Sequence, residues 1–264
     1  MISSNSLEEV QILNILVTND DGIMSPGIIK LAEALSEEHD VLVVAPDVER
    51  SATGHAITIR TPLWAKQVKV GNKNIGYAIN GTPADCVKLG LLAISEKKID
   101  LVISGVNKGQ NMGIDVLYSG TVSGALEGAV MDTPSIAVSS SDWSNPEFET
   151  AAAFMVSFLR VFDVKMMPDF TALNINVPSV KSEELKGWKV TRQSRRRYKD
   201  YFEKRKDPYG NNYYWIFGEV VEDECSTDCD YNAVKSGFVS ITPLHAIMTD
   251  NDYFEKLKEI SRGW

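Results

Sequence analysis

The chain has 264 residues, of which 44% are hydrophobic and 24% are charged, an ordinary composition for a globular protein. Its formal net charge of −9 at pH 7 argues against binding of long nucleic acid, which requires a basic surface. No apolar run reaches the roughly 20 residues of a membrane helix, and residues 1–6 lack the pattern of a signal peptide. We therefore expect a cytoplasmic protein without a membrane partner.

The first half of the sequence alternates predicted strands and helices. Ser25-Pro26 and Thr82-Pro83 are typical helix starts, because a hydroxyl caps the helix and proline needs no N–H at its first position. The alternation indicates a Rossmann-like, mostly parallel sheet with helices on both faces. The predicted strands lie at 12–18, 41–45, 56–64, 75–79, 101–104, 135–138 and 171–176, and the predicted helices at 26–37, 82–94, 122–131 and 147–162.

The pattern changes after about residue 180. Residues 188–221 contain many aromatic side chains on both sides of a turn cluster at 207–212, which predicts a long β-hairpin. So much aromatic surface is rarely left exposed on a monomer, so we expect this arm to serve in oligomerisation. We divide the chain into a catalytic core, 1–180, and a C-terminal extension, 181–264, which ends in a strand near 238–242 and a helix near 250–261.

The sequence has three cysteines, an odd number. Cys86 lies in an apolar helical segment, which predicts a buried thiol. Cys225 and Cys229 are four residues apart with no second pair, so their spacing does not suit a zinc site. We expect no structural disulfide.

Asn19-Asp20-Asp21-Gly22 is the most informative segment, because it directly follows the first apolar strand. Open α/β sheets bind their ligands at the carboxyl ends of the strands. The adjacent carboxylates of Asp20 and Asp21 repel each other, and a bound divalent cation is the simplest way to offset that repulsion. The alternative is that these residues only form a turn and cap a helix.

Three further segments follow predicted strands and can converge on the same edge. They contain Ser51, Asn107 and Ser119-Gly120-Thr121. With the two aspartates, Ser51 and Asn107 offer only oxygen ligands, which suit Mg²⁺, Mn²⁺ or Ca²⁺ better than zinc. Ser119-Gly120-Thr121 begins a helix and offers an anion site. A metal beside an anion site favours phosphate-ester hydrolysis, although each residue alone also fits a solvated loop or a helix cap.

The chain resembles the survival-protein SurE family of metal-dependent, acid-phosphatase-like 5′/3′-nucleotidases. The family's motifs run in order from residue 15 to 243. They are Ile15-Leu-Val-Thr-Asn-Asp-Asp-Gly22, Ala45-Pro46-Asp47 leading to Arg50-Ser51, Gly81-Thr-Pro-Ala-Asp-Cys-Val87, Ser104-Gly-Val-Asn107, Tyr118-Ser-Gly-Thr-Val122 and Val239-Ser-Ile-Thr-Pro243. Ala52 departs from the pattern, since many members have glycine there.

This resemblance implies one divalent metal ion per subunit, Mg²⁺ or Mn²⁺, with Ca²⁺ an alternative in crystals. The implied ligands are Asp20, Asp21, Ser51 and Asn107. Members of the family hydrolyse nucleoside 5′- and 3′-monophosphates, some trim short polyphosphate, and they form homodimers or homotetramers with exchanged C-terminal segments.

The sequence therefore predicts a metal-dependent nucleotide phosphomonoesterase. Asp20 and Asp21 are the candidate catalytic residues, and one of them acts as base or nucleophile. The candidate phosphate-binding residues are Asn107, Ser119, Gly120 and Thr121. The alternative is a nucleotide- and metal-binding regulatory module without turnover. His55 and His245 are possible leaving-group acids, but a structural role is favoured for each.

Overall fold

The computed structural model describes residues 11–72, 74–221 and 227–262. Within these ranges the strands form one nine-stranded sheet and one separate two-stranded sheet. The strands are β1 (Asn14–Thr18), β2 (Asp40–Pro46), β3 (Ala65–Val70), β4 (Asn74–Ile79), β5 (Leu101–Lys108), β6 (Ser135–Ser140), β7 (Thr171–Val177), β8 (Trp188–Val190), β9 (Arg197–Lys206), β10 (Asn212–Val221) and β11 (Val239–His245).

The large sheet has the strand order β3-β4-β2-β1-β5-β6-β7-β11-β8. Its central pairs are parallel: β1 pairs with both β2 and β5, and β6 pairs with β5 and β7. Only β3 with β4 and β7 with β11 pair antiparallel among the described strands of this sheet. The carboxyl ends of β1, β2, β5 and β6 therefore meet at one edge, where the candidate site lies.

Helices cover both faces of this sheet. They are α1 (Pro26–Leu35), α2 (Pro83–Leu89), α3 (Gly120–Val130), α4 (Phe148–Leu159) and α5 (Asp230–Lys235). A further helix, α6 (Asn251–Ser261), is exposed along its whole length. Ile15 and Val17 of β1 belong to the core cluster shared with α1 and α4, whereas Leu16 packs with Cys86 and Val87 of α2. Successive side chains of β1 therefore point to opposite faces of the sheet, and both faces are buried.

The predicted fold class is confirmed. Proline stands at the start of both α1 and α2, and Thr82 caps α2 with Asp85 in a capping box. The predicted strand at 56–64 was wrong, because the hydroxyl of Thr82 and the carboxylate of Asp85 bond this segment at Ala56 and Thr58 and hold it as a loop. The strand that pairs with β4 is β3, which begins at Ala65.

The C-terminal part completes the large sheet and adds the hairpin. β8 and β11 extend the large sheet, while β9 and β10 pair only with each other among the described strands. The predicted hairpin is thus confirmed over 197–221, but 188–190 belongs to the large sheet. The boundary at residue 180 stays a prediction, and residues 1–10, 73, 222–226 and 263–264 of the two proposed domains lie outside the described residues.

Two further findings concern the cysteines and membrane spans. Cys86 is a buried free thiol, as expected, whereas Cys229 is disulfide-bonded, so the expectation of no disulfide was wrong. In the part of the chain that the structure describes, no helix is both long and apolar enough to cross a membrane.

Candidate active site

The loop between β1 and α1 carries the two aspartates and is fixed by its neighbours. The side-chain amide of Asn19 donates to the carbonyl of Gly22 at 3.0 Å and to the hydroxyl of Ser25 at 2.8 Å. The amide of Arg50 donates to the carbonyl of Asp20 at 2.7 Å. The loop after β2, which carries Ser51, therefore lies against the aspartate loop, as the sequence predicts.

Asp20 is buried against the N-terminus of α3. Its Oδ2 accepts from the amide of Thr121 at 3.1 Å, and its Oδ1 accepts from the Thr121 hydroxyl. A Cβ on Gly120 would lie only 2.8 Å from the Cβ of Asp20, so this close approach requires glycine. The N-terminus of α3 thus already binds a carboxylate, which is the behaviour of an anion site.

Asp21 is half-buried and faces the end of β5. Its Oδ2 accepts from the amide of Lys108 at 3.2 Å. Lys108 directly follows Asn107, whose side-chain amide donates to the carbonyl of Gly109 at 2.8 Å. The structure therefore brings the backbone of Lys108, next to Asn107, to Asp21. The buried side chain of Asn107 instead bonds to the segment that directly follows β5.

The remaining candidate residues have local partners. The Ser51 hydroxyl is exposed and donates to Glu49 Oε1 at 2.8 Å. The Ser119 hydroxyl caps α3 by accepting from the amide of Val122 at 3.0 Å.

Ala52, beside Ser51, has a φ of 56°, in the left-handed region that glycine adopts most easily. This conformation gives a physical reason for glycine at that position.

Both aspartates carry pKa values above the ordinary 3.8. Burial raises the pKa of Asp20, and the hydrogen bonds from Thr121 offset part of that rise. Burial and then the charge of Asp20 raise the pKa of Asp21 to about 6, although the amide of Lys108 opposes the rise. Negative charge is therefore crowded at this edge, which is the condition that a cation relieves.

The donor chemistry fits a hard divalent ion. Two carboxylates, a hydroxyl and an amide oxygen are ligands of Mg²⁺, Mn²⁺ and Ca²⁺. No group of three or more His, Cys, Asp or Glu side chains is placed for a metal within the described ranges, so a site rich in such ligands is not found there. The buried Oδ1 of Asn19, beside Asp20, has no hydrogen-bond partner among the residues that the structure describes. This unpaired acceptor adds to the negative potential.

His55 has a structural partner. Its Nε2 lies 2.7 Å from Oε2 of Glu127, a buried residue of α3 that also pairs with Lys88 of α2. Burial alone would raise the pKa of Glu127, but the hydrogen bonds from His55 and Lys88 outweigh it and lower that pKa. This pairing favours the structural reading of His55. His245 is exposed and bonds to the backbone of Ile247.

Sequence reasoning did not single out Lys108 and Arg50 as parts of the site. Both act through backbone amides, to Asp21 and to the carbonyl of Asp20, and a backbone contact leaves no mark in residue type. The only available signal was position, since each residue adjoins a predicted metal ligand.

Fold and site together define an α/β protein with a candidate site of paired aspartates and neutral oxygen-bearing side chains at the carboxyl edge of a parallel sheet. The family described as "Survival protein SurE" matches residues 15–200. The chain therefore belongs to the SurE family.

Individual relatives agree with this membership. A protein of Kosmotoga olearia named "5'-nucleotidase SurE" is 72% identical, and the match covers 95% of this chain and 99% of the relative. A protein of Petrotoga mobilis with the same name is 58% identical over 93% of this chain and 98% of its own length. The crystal structure of the SurE protein from Aquifex aeolicus has a TM-score of 0.79 and 43% identity, covering 94% of this chain and 99% of that one.

Proposed function

We propose that the chain is a metal-dependent nucleotidase that hydrolyses nucleoside 5′- and 3′-monophosphates to nucleoside and phosphate, with short polyphosphate as a further substrate. The contact that supports this best is the carboxylate of Asp20 on the N-terminus of α3, with the amide of Thr121 at 3.1 Å. It joins a candidate metal ligand to a candidate phosphate site. The names of the relatives from Kosmotoga olearia and Petrotoga mobilis support the same activity.

The metal ligands in this proposal are Asp20, Asp21, Ser51 and Asn107. The raised pKa values of the aspartates and their oxygen-only surroundings support one Mg²⁺ or Mn²⁺ per chain. When bound, such an ion supplies Lewis acidity beside the phosphate oxygens and the attacking water.

The chain's own residues bind and orient the phosphate. Ser119, Gly120 and Thr121 hold phosphate oxygens at the start of α3, where the helix dipole stabilises the charge that develops during hydrolysis. Asn107 contributes to the same pocket. Asp20 is the stronger candidate for the base, because its carboxylate bonds directly to Thr121 of the phosphate site.

A regulatory module that binds nucleotide and metal without turnover is the alternative from another class. The names of the relatives do not favour it. A single measurement separates the two, because only an enzyme releases phosphate.

We also propose a homodimer or homotetramer that is assembled through the arm formed by β9 and β10. Every residue of these two strands is exposed, including Phe202, Tyr214 and Trp215. The base of the arm is anchored, since buried Arg196 pairs with Asp115 at 2.6 Å. An anchored hairpin with exposed aromatic surface is suited to a second subunit. The cytoplasmic location expected from the sequence stays a prediction.

The test of the catalytic proposal is phosphate release from a panel of nucleoside 5′- and 3′-monophosphates, with chelator, Mg²⁺ or Mn²⁺ added. We expect release with metal and none with chelator. Asp20→Asn serves as the inactive control that excludes a contaminating phosphatase. Nucleotide binding without phosphate release under any metal would favour the regulatory module instead.

A further inference from the structure

Three large side chains close in the chain to residues of the polar site are exposed. Met24 is 63% exposed and lies three residues after Asp21, and Tyr118 is 63% exposed directly before Ser119. Trp143 is 58% exposed and follows β6 at the same edge. A metal ion and a phosphate need none of these side chains. Apolar surface beside a polar site indicates that the substrate has an apolar part.

The backbone around Trp143 is firmly held. The amide of Asp142 donates to the hydroxyl of Ser179 at 2.8 Å, and Asp142 Oδ1 accepts from the amides of Ser144 and Asn145 at 2.7 and 3.3 Å. The turn is thus fixed on both sides of an indole that is more than half exposed. An aromatic surface that is ordered in advance loses little entropy when it binds a ligand.

Trp143 lies directly against the segment that carries Asn107. A Cβ on Gly109 would lie 2.9 Å from Cε3 of Trp143, and the φ of Gly109 is +96°. The Nζ of Lys108 lies 5.0 Å from the centroid of a Trp143 ring, and the Lys108 amide donates to Asp21. One residue therefore links the indole to the candidate metal ligands.

We propose that Trp143 is the platform on which the nucleobase of the substrate stacks. This inference rests on the proposed nucleotidase function and specifies how its substrate is bound. Every base has a π-face, so stacking on an indole favours nucleotides over phosphate esters without a base and discriminates little between purines and pyrimidines. Trp143 thereby sets specificity without touching the phosphate.

The experiment compares kcat/KM for nucleoside 5′-monophosphates with that for ribose 5-phosphate, which has the same phosphate and pentose but no base. The variants are Trp143→Ala, Trp143→Phe and the control Trp188→Ala, whose indole is also half exposed but packs on Phe158 at the far end of the sheet. Trp143→Ala should lower kcat/KM for the nucleotides about fivefold to a hundredfold, mainly through KM. Its rate on ribose 5-phosphate should stay at the wild-type value.

Trp143→Phe should recover most of the loss because it keeps an aromatic face, and Trp188→Ala should leave the ratio of the two substrates unchanged. An equal loss on both substrates in Trp143→Ala, or no loss on either, would overturn the inference. If wild-type protein releases phosphate from ribose 5-phosphate and from nucleotides at equal efficiency, the inference fails while the phosphatase activity stands. Failure of wild-type protein on both substrates would overturn the proposed function itself.

Discussion

Replacing Asp21 by asparagine should stabilise the metal-free protein while it removes activity. In the folded chain, burial and the charge of Asp20 raise the pKa of Asp21 from 3.8 to about 6. A raised pKa means that the folded state holds this proton more tightly than the unfolded state. The contribution of Asp21 therefore favours the fold at low pH, and it is lost as pH rises from about 3.8 through 6.

The size of the effect follows from that difference. A change from 3.8 to about 6, at about 1.4 kcal/mol for each pKa unit, corresponds to about 3 kcal/mol of unfolding free energy at pH 7. Asp21 is only half-buried, so solvent screening reduces this value, and we expect a gain of about 1–2 kcal/mol. Asparagine keeps an oxygen that accepts from the Lys108 amide, so the fold loses no hydrogen bond.

Urea unfolding with chelator present measures this gain at pH 7 and again at pH 5. The gain should shrink at pH 5, because Asp21 is then largely protonated in the folded state. Asp252→Asn, in the exposed first turn of α6, is the matched control and should change stability little at either pH. Destabilisation of metal-free Asp21→Asn at pH 7, or a gain that does not depend on pH, would refute the reasoning.

Other expectations follow from the same site and arm. Asp20→Asn should reduce kcat severely, while circular dichroism should show an intact fold. Asn107→Ala should reduce kcat less, because it removes a neutral ligand. Near-wild-type rates with bound metal in Asp20→Asn would contradict the site. Mononucleotides should be hydrolysed far faster than circular single-stranded DNA, which has no terminal monoester, and efficient cleavage of that DNA would oppose a monoesterase. Replacing 199–217 by a short Gly/Ser link should give a smaller species in light scattering, whereas wild-type protein that is monomeric at micromolar concentration would contradict assembly through the arm.

The sequence predicts much of the fold because local signals and burial agree in the first half of the chain. Ser25-Pro26 and Thr82-Pro83 mark the starts of α1 and α2, and β1, β2 and β6 are short apolar runs that lie in the buried centre of the sheet. The segment at 56–64 misled the prediction because its alternation of Ile57 and Ile59 imitates a strand. Both side chains are instead exposed, and no strand pairs with this segment in the described part of the chain.

The candidate site was less predictable than the fold because its contacts are long-range. Asp20 and Thr121 are 101 positions apart, and the parallel pairing of β1 with β5 brings the two loops to the same edge of the sheet. The sequence indicated which residue types belong to the site, since carboxylate, hydroxyl and amide share one chemistry. It could not indicate that Thr121 bonds to Asp20 itself, or that Trp143 packs on Gly109, because side-chain packing across loops has no sequence period.

The most direct test of the central claim is an anomalous difference map from crystals of this protein grown with Mn²⁺. We predict one strong peak per chain, bound by oxygen atoms of Asp20, Asp21, Ser51 and Asn107 at about 2.0–2.6 Å. The same peak should be lost in crystals of Asp20→Asn. An active protein whose manganese lies elsewhere in the chain, or that binds none at these four residues, would contradict the account.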